Sequence, residues 1–285
     1  MQTENFILIN LFKLKLFLIL LVTISLVFNH FSIFAKETKA EKLQGEKYLS
    51  FEHQLQDVDK VIALAKKNNK LALIVMGANW CHDSRSLARN LFAPKVKKVI
   101  DTHYELLFIN VGFMEKVKNV ITRFGMPVIY STPTALIIEP NSELLINRHN
   151  VHSIRDADSV SIPDTKAYFE NIAINRSKLV QSLSFLDPKV DQQKFKQLNQ
   201  EIDNFENYQA DRIYQAYEVI GPMIKDKKLG VKNKNFNKYW KSASKLRYKI
   251  TDDLDRLRAQ AIKIAKNNDS DEKLNFPTYP KFAWE

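Results

Sequence analysis

The segment Ala78-Asn79-Trp80-Cys81-His82-Asp83-Ser84-Arg85 holds the only cysteine of the 285-residue chain. It follows the apolar run Leu71-Ala72-Leu73-Ile74-Val75-Met76, which reads as a buried strand. It precedes Ser84-Arg85-Ser86-Leu87-Ala88-Arg89-Asn90-Leu91, which reads as a helix. A cysteine at a strand-to-helix junction sits near a helix N-terminus, where unpaired N–H groups and the macrodipole favour a thiolate. The chemistry on offer is therefore attack by sulfur. A single cysteine excludes an intramolecular disulfide and leaves exchange with another molecule or a dimer linked through Cys81.

The neighbours of the thiol each carry two readings. His82 could stabilise the thiolate as an imidazolium or move a proton, or it could be an exposed side chain on the first helical turn. Ser84 could donate a hydrogen bond to the sulfur anion. Asp83 suits the first turn of a helix, although a carboxylate beside the sulfur opposes the thiolate. Arg85 could pair with Asp83 or stay solvated. Trp80 either shields the thiol and helps hold substrate or simply packs on the sheet. His53, His103, His149 and His152 share no clear spacing with Cys81, so neither a metal site nor a Cys–His protease-type dyad is expected. No dissociable cofactor is implied.

The elements that must position Cys81 follow from periodicity. Phe51, Leu55, Val58, Ile62 and Ala65 fall three or four apart and predict a helix that Asn68-Asn69-Lys70 breaks. After the cysteine helix, Phe92-Ala93-Pro94 interrupts, and residues 96–101 resume helical structure. Tyr104–Val111 is a second apolar strand, Met114–Phe124 a short helix ended by Gly125. A strand after Ser131-Thr132-Pro133 then turns at Asn141-Ser142 into a strand over Glu143–Asn147. Alternating strands and helices imply an α/β fold with a central sheet flanked by helices.

From about Asp164 no strand-like alternation remains. Phe195, Leu198, Ile202, Phe205, Ile213, Tyr217 and Ile220 form one helical stripe, which Gly221-Pro222 is expected to kink or end. A second stripe runs from Phe236 to Ile264. Two successive amphipathic helices predict an all-α helical hairpin packed on something else. The aromatic, proline-rich tail Phe276–Glu285 is expected to dock on the protein's own surface.

Trp80-Cys81-x-x-Ser84 after a buried strand, with Ser131-Thr132-Pro133-Thr134 before another, resembles the thioredoxin superfamily, and in particular exported bacterial thioredoxin-like proteins. The resemblance spans about Tyr48–Val151 and does not reach the helices beyond. It implies a thioredoxin-like domain over 48–155, with a helical C-terminal region over 164–285. It also implies that Pro133 is a cis-proline facing the cysteine and that Thr132 offers backbone hydrogen bonds to an extended substrate. Two positions depart from the family pattern. Ser84 stands where dithiol members have their second cysteine, and Val75 where they carry a buried acid. A serine cannot resolve a mixed disulfide, so release would need an external thiol, such as a glutathione-like small thiol, or a cysteine of the substrate.

Lys13 and Lys15 precede an uncharged stretch over residues 16–35 that is most apolar at Leu16–Phe28 and ends in Phe34-Ala35, the order of a secretory signal. Cleavage after Ala35 is expected, with an uncleaved membrane anchor through residues 16–35 as the alternative. Residues 36–47 read as a charged linker. Either way, the body would lie outside the cytoplasm, periplasmic or otherwise exported. The formal net charge of +11 fits a solvated basic surface, since no nucleic-acid motif accompanies it. The leading expectation is a monothiol thiol–disulfide oxidoreductase or isomerase acting on exported protein or small-molecule disulfides, with Cys81 as nucleophile. Its alternative is a redox-inactive binding or chaperone-like module that uses the helical region as partner surface.

Overall fold

The computed structural model of the chain describes residue 48 and residues 54–115, 118–184, 190–267 and 272–285. The expected signal (1–35), the charged linker (36–47) and His53 lie outside the described residues. Among those described, no helix is long and apolar enough to cross a membrane.

Four strands form one sheet in the order β2-β1-β3-β4: β1 Leu71–Gly77, β2 Tyr104–Asn110, β3 Thr134–Glu139 and β4 Leu144–Leu145. Around it lie α1 Gln54–Lys67, α2 His82–Leu91, α3 Pro94–His103, α4 Lys118–Arg123, α5 Ile162–Ile174 and α6 Arg176–Ser184. Strand β1 is central, parallel to β2 and antiparallel to β3. That position explains its unbroken apolar run, because helices cover both of its faces. The alternation along β1 then sorts the core. Ala72, Ile74 and Met76 face α1 and α4, whereas Leu71, Leu73 and Val75 face α2, α3 and α5. The antiparallel pairing Met76↔Thr134 brings the chain just after β1 and the chain just before β3 to the same end of the sheet. This pairing places Cys81 beside Thr132.

The second region is a hairpin of two long helices, α7 Gln192–Lys228 and α8 Phe236–Lys266. Its buried stripes, including Ile213, Ile220, Ile250 and Leu257, join the core on the α1 side of the sheet. Asp191 caps α7 by accepting from the Lys194 backbone N–H at 2.9 Å. The tail does dock on these helices: Tyr279 Oη donates to Asp253 Oδ2 at 2.9 Å, and Arg212 Nη2 donates to the Pro280 carbonyl at 2.9 Å. Helix α5 is held on the sheet body instead, with Phe169 and Ile172 in the core and Tyr104 Oη donating to the Phe169 carbonyl at 2.7 Å.

Three expectations about elements need correction. Of the two outcomes expected at Gly221-Pro222, a kink or an end, the end is overturned: α7 runs through Pro222 to Lys228. The apolar stripe continues with the buried Ile220 and Ile224. The Glu218 carbonyl, which loses its donor to the proline, belongs to an exposed residue, so packing outweighs one missing bond. The helix expected from Met114 begins at Lys118, because Gly112 (φ 62°) and Met114 (φ 83°) adopt left-handed backbone that no α-helix accepts. Strand β4 is only two residues long. Glu143 is left-handed at φ 54°, and the Asn147 side chain takes over the ladder: its Oδ1 accepts from Ile137 N and its Nδ2 donates to the Ala135 carbonyl, both at 2.9 Å.

Candidate functional site

Cys81 is the N-cap residue of α2. Its backbone is extended (φ −86°, ψ 125°), and its carbonyl accepts the first helical bond from Arg85 N at 3.2 Å. Its side chain caps nothing, which leaves the sulfur for other contacts. The Cys81 thiol donates to the Thr132 carbonyl at 3.0 Å, and the Thr132 hydroxyl lies 3.5 Å from the sulfur as a donor to it. The Thr132–Pro133 peptide bond is cis, and Pro133 is buried. Cys81 is 8% exposed, so the sulfur sits largely covered at the edge of a cleft.

The segment before it is fixed by side chains. Asn79 binds the backbone of Tyr48 on both sides, with Nδ2 donating to its carbonyl at 3.0 Å and Oδ1 accepting from its N–H at 3.4 Å. Tyr48 Oη in turn donates to the Ser84 carbonyl at 3.1 Å. Burial pushes the Tyr48 phenol far above its ordinary range, and the charge of a Cys81 thiolate would push it the same way. Trp80 Nε1 donates to the Gly112 carbonyl at 2.7 Å. Its ring meets Trp240 of α8 edge to face, with centroids 6.4 Å apart.

The residues expected around the sulfur divide into three sets. Trp80, Cys81, His82 and Thr132 line one cleft of about 560 Å³, walled on its far side by the helical hairpin. His82 is 69% exposed, with Nε2 at 3.2 Å from Asp83 Oδ2. Its contact is thus with the carboxylate and not with the sulfur. Ser84 lies behind the site: it is fully buried, its hydroxyl has no hydrogen-bond partner, and it does not donate to Cys81. Asp83 Oδ1 accepts from Asp158 N at 3.0 Å, which serves the start of α2 structurally. Arg85 does not pair with Asp83; it is exposed, in line with the solvated alternative, and its Nη1 donates to the Asn79 carbonyl at 2.7 Å. Of the histidines, His152 approaches Asp255 at 3.3 Å, away from the thiol.

Sequence reasoning missed Tyr48, Trp240 and Arg247. Arg247 is 3% exposed and lines the same cleft from α8. A signal was present: positions 243, 246, 247, 250 and 254 form one helical stripe, and a charged residue inside a buried stripe asks for a reason.

Residues 53–140 match a family model described as thioredoxin-like. The chain thus carries a thioredoxin-like domain, followed by the helical region of α7 and α8. A crystal structure described as a disulphide isomerase from Xylella fastidiosa Temecula1 is similar over 44% of this chain and 95% of its own. Its identity is 26% and its TM-score 0.39. No curated protein matches the chain.

Proposed function

We propose that the protein is a monothiol thiol–disulfide exchange protein in which Cys81 is the nucleophile. The observation that carries this reading is the Cys81 thiol at the N-cap of α2, on an open cleft and hydrogen-bonded to the residue before a cis-proline. The match of residues 53–140 to a thioredoxin-like family supports the same chemistry. In the exchange step the Cys81 proton leaves the sulfur, the thiolate attacks one sulfur of a disulfide, and a new S–S bond forms as the old one breaks. The leaving thiolate takes up a proton, so the step involves no net oxidation. Ser84 offers no second thiol, so a thiol from outside, either a small glutathione-like thiol or a cysteine of the substrate, attacks the mixed disulfide and releases Cys81. Trp80 and Thr132 line the groove, the buried cis-Pro133 shapes it through Thr132, and His82 sits at its mouth. Exported proteins are the natural partners if residues 1–35 act as a signal, with residues 16–35 as an anchor if they are retained; the body then works in the periplasm or an equivalent exported setting.

One observation favours a second reading, a redox-inactive binding module. Cys81 is largely covered, and the helical hairpin forms the opposite wall of its cleft. Intact-mass analysis separates the two. On incubation with oxidised glutathione, the folded chain is expected to gain one adduct that maps to Cys81, is absent from Cys81→Ala, and is released by a reduced thiol. No adduct on the folded chain, with partner binding retained by Cys81→Ala, would leave only the binding module.

A further inference from the structure

A buried cation in the wall of the cleft calls for a ligand. Arg247 is 3% exposed, its Nε is buried without a hydrogen-bond partner, and it lines the cleft that holds Cys81. Its Nη2 donates to the Ser244 hydroxyl at 3.0 Å. Its guanidinium packs on the Trp240 ring at 5.2 Å and the Tyr217 ring at 5.7 Å. Among the described residues no carboxylate lies within ion-pairing distance of it. The two carboxylates of the cleft are engaged elsewhere: Asp83 with His82 and the Asp158 N–H, and Asp156 with the Tyr248 hydroxyl and Arg155. Tyr217 also shares a side-chain hydrogen bond with Arg247, but a buried guanidinium without a carboxylate partner is costly, and an anion that completes its hydrogen bonds offsets that cost. Lys227, on the same cleft, adds a second positive charge. A cleft of about 560 Å³ has the size of a small-molecule site.

From this arrangement we infer that the cleft takes a small disulfide or thiol bearing a carboxylate, with the carboxylate bound by Arg247 and the sulfur presented to Cys81. The inference rests on the thiol-exchange reading above and specifies its substrate class. Trp80 and Trp240, in contact with each other between the two ends, supply apolar surface for the connecting carbons. The chemistry is the balanced exchange already described; the resolving thiol is of the same class and enters by the same cleft.

The test uses the full chain and two disulfides with arms of equal carbon count, 3,3′-dithiodipropionate and bis(3-hydroxypropyl) disulfide. Their rates of mixed-disulfide formation at Cys81 are compared with the rates for a simple reference thiol. The carboxylate compound is expected to be preferred by about tenfold or more over the reference ratio, the size of one charge-assisted hydrogen bond. Arg247→Gln is expected to bring the ratio back to the reference. Should that variant not fold, wild-type protein decides: 3-(methylthio)propionate, which cannot exchange, is expected to protect Cys81 from iodoacetamide saturably and less so in high salt, whereas the matching alcohol does not. A wild-type ratio at the reference value, a ratio retained in Arg247→Gln, or absence of protection would overturn the carboxylate site while leaving exchange at Cys81 standing. Failure of both disulfides to react with the folded chain would overturn the exchange reading, and the substrate class with it.

Discussion

Glu206 of α7 is 2% exposed and accepts three hydrogen bonds: from Tyr130 Oη at 2.8 Å, Arg148 Nη2 at 2.7 Å and Arg258 Nη2 at 3.0 Å. One carboxylate thus ties α7 and α8 to the segments on both sides of β3, and Tyr130 stands two residues before Thr132. Glu206→Ala removes the acceptor and leaves two guanidinium groups whose side chains are only 17% and 16% exposed. Arg258 keeps Asp255 at 3.9 Å; Arg148 keeps no carboxylate among the described residues. All three bonds end on a charged acceptor, each costing about 1.5–3 kcal/mol when lost, reduced here because the tyrosine and both arginines regain some water. The expected loss is about 3–5 kcal/mol, the usual result of removing one partner from a buried ion pair. That is a large share of a total stability of roughly 5–15 kcal/mol. Glu206→Gln keeps an acceptor without the charge and should lose about half as much. Urea unfolding followed by circular dichroism measures both, and alkylation of Cys81 should quicken in the alanine variant as the hairpin loosens over the cleft. A loss under about 1 kcal/mol at an unchanged denaturant slope would refute the idea that this cluster clamps the hairpin to the sheet.

Two smaller predictions concern the frame of the site. A Cβ at Gly77 would lie 2.7 Å from Ser84 Oγ and 2.7 Å from the Tyr48 ring. Gly77→Ala should therefore destabilise the fold by about 1–3 kcal/mol through overpacking, and an unchanged melting curve would show that the loop before Cys81 yields freely. Burial pushes the Glu139 carboxyl up, but hydrogen bonds from Arg176 and Asn141 outweigh it and hold the group below its ordinary 4.5. A carboxylate with a lowered folded value stabilises the protein fully above the unfolded value and loses that contribution as pH falls through the folded one. The stability gap between wild type and Arg176→Gln should accordingly narrow as pH drops below 4.5; a gap that stays constant down to acid unfolding would contradict the pairing.

Strands β1, β2 and β3 were legible because their apolar runs are continuous, and a short run such as Leu71–Met76, bounded by Lys70 and Gly77, suits a strand covered on both faces. The cysteine, its helix and the Thr132-Pro133 pair could be located for the same reason: each directly follows or precedes such a run. Local backbone was less legible. The left-handed residue Met114 carries no glycine to announce it, and Asn147 replaces strand backbone with its side chain, so both elements came out shorter than periodicity suggested. The opposite wall of the cleft could not be read at all. Trp240 and Arg247 lie about 160 residues from Cys81 in the chain, and each stripe marks a buried face without marking what buries it. Only the packing of the hairpin against the α1 side of the sheet sets them before the thiol.

That packing bears on how a single thiol could turn over. In a dithiol protein the incoming disulfide meets the cleft, while the resolving thiol is already inside the fold. Here Ser84 occupies the buried position behind Cys81 and carries a hydroxyl without a partner, so in the exchange reading both disulfide and resolving thiol would approach through the mouth that the hairpin walls. Whatever recognises the first reactant is met again by the second. A cation such as Arg247 placed in that wall would act on both half-reactions, favouring the anionic disulfide that Cys81 attacks to form the mixed disulfide and the anionic thiol that releases it. A surface selecting only one of the two would stall the cycle with Cys81 capped. In the exchange reading, an incoming group that reaches the sulfur displaces its contact with the Thr132 carbonyl.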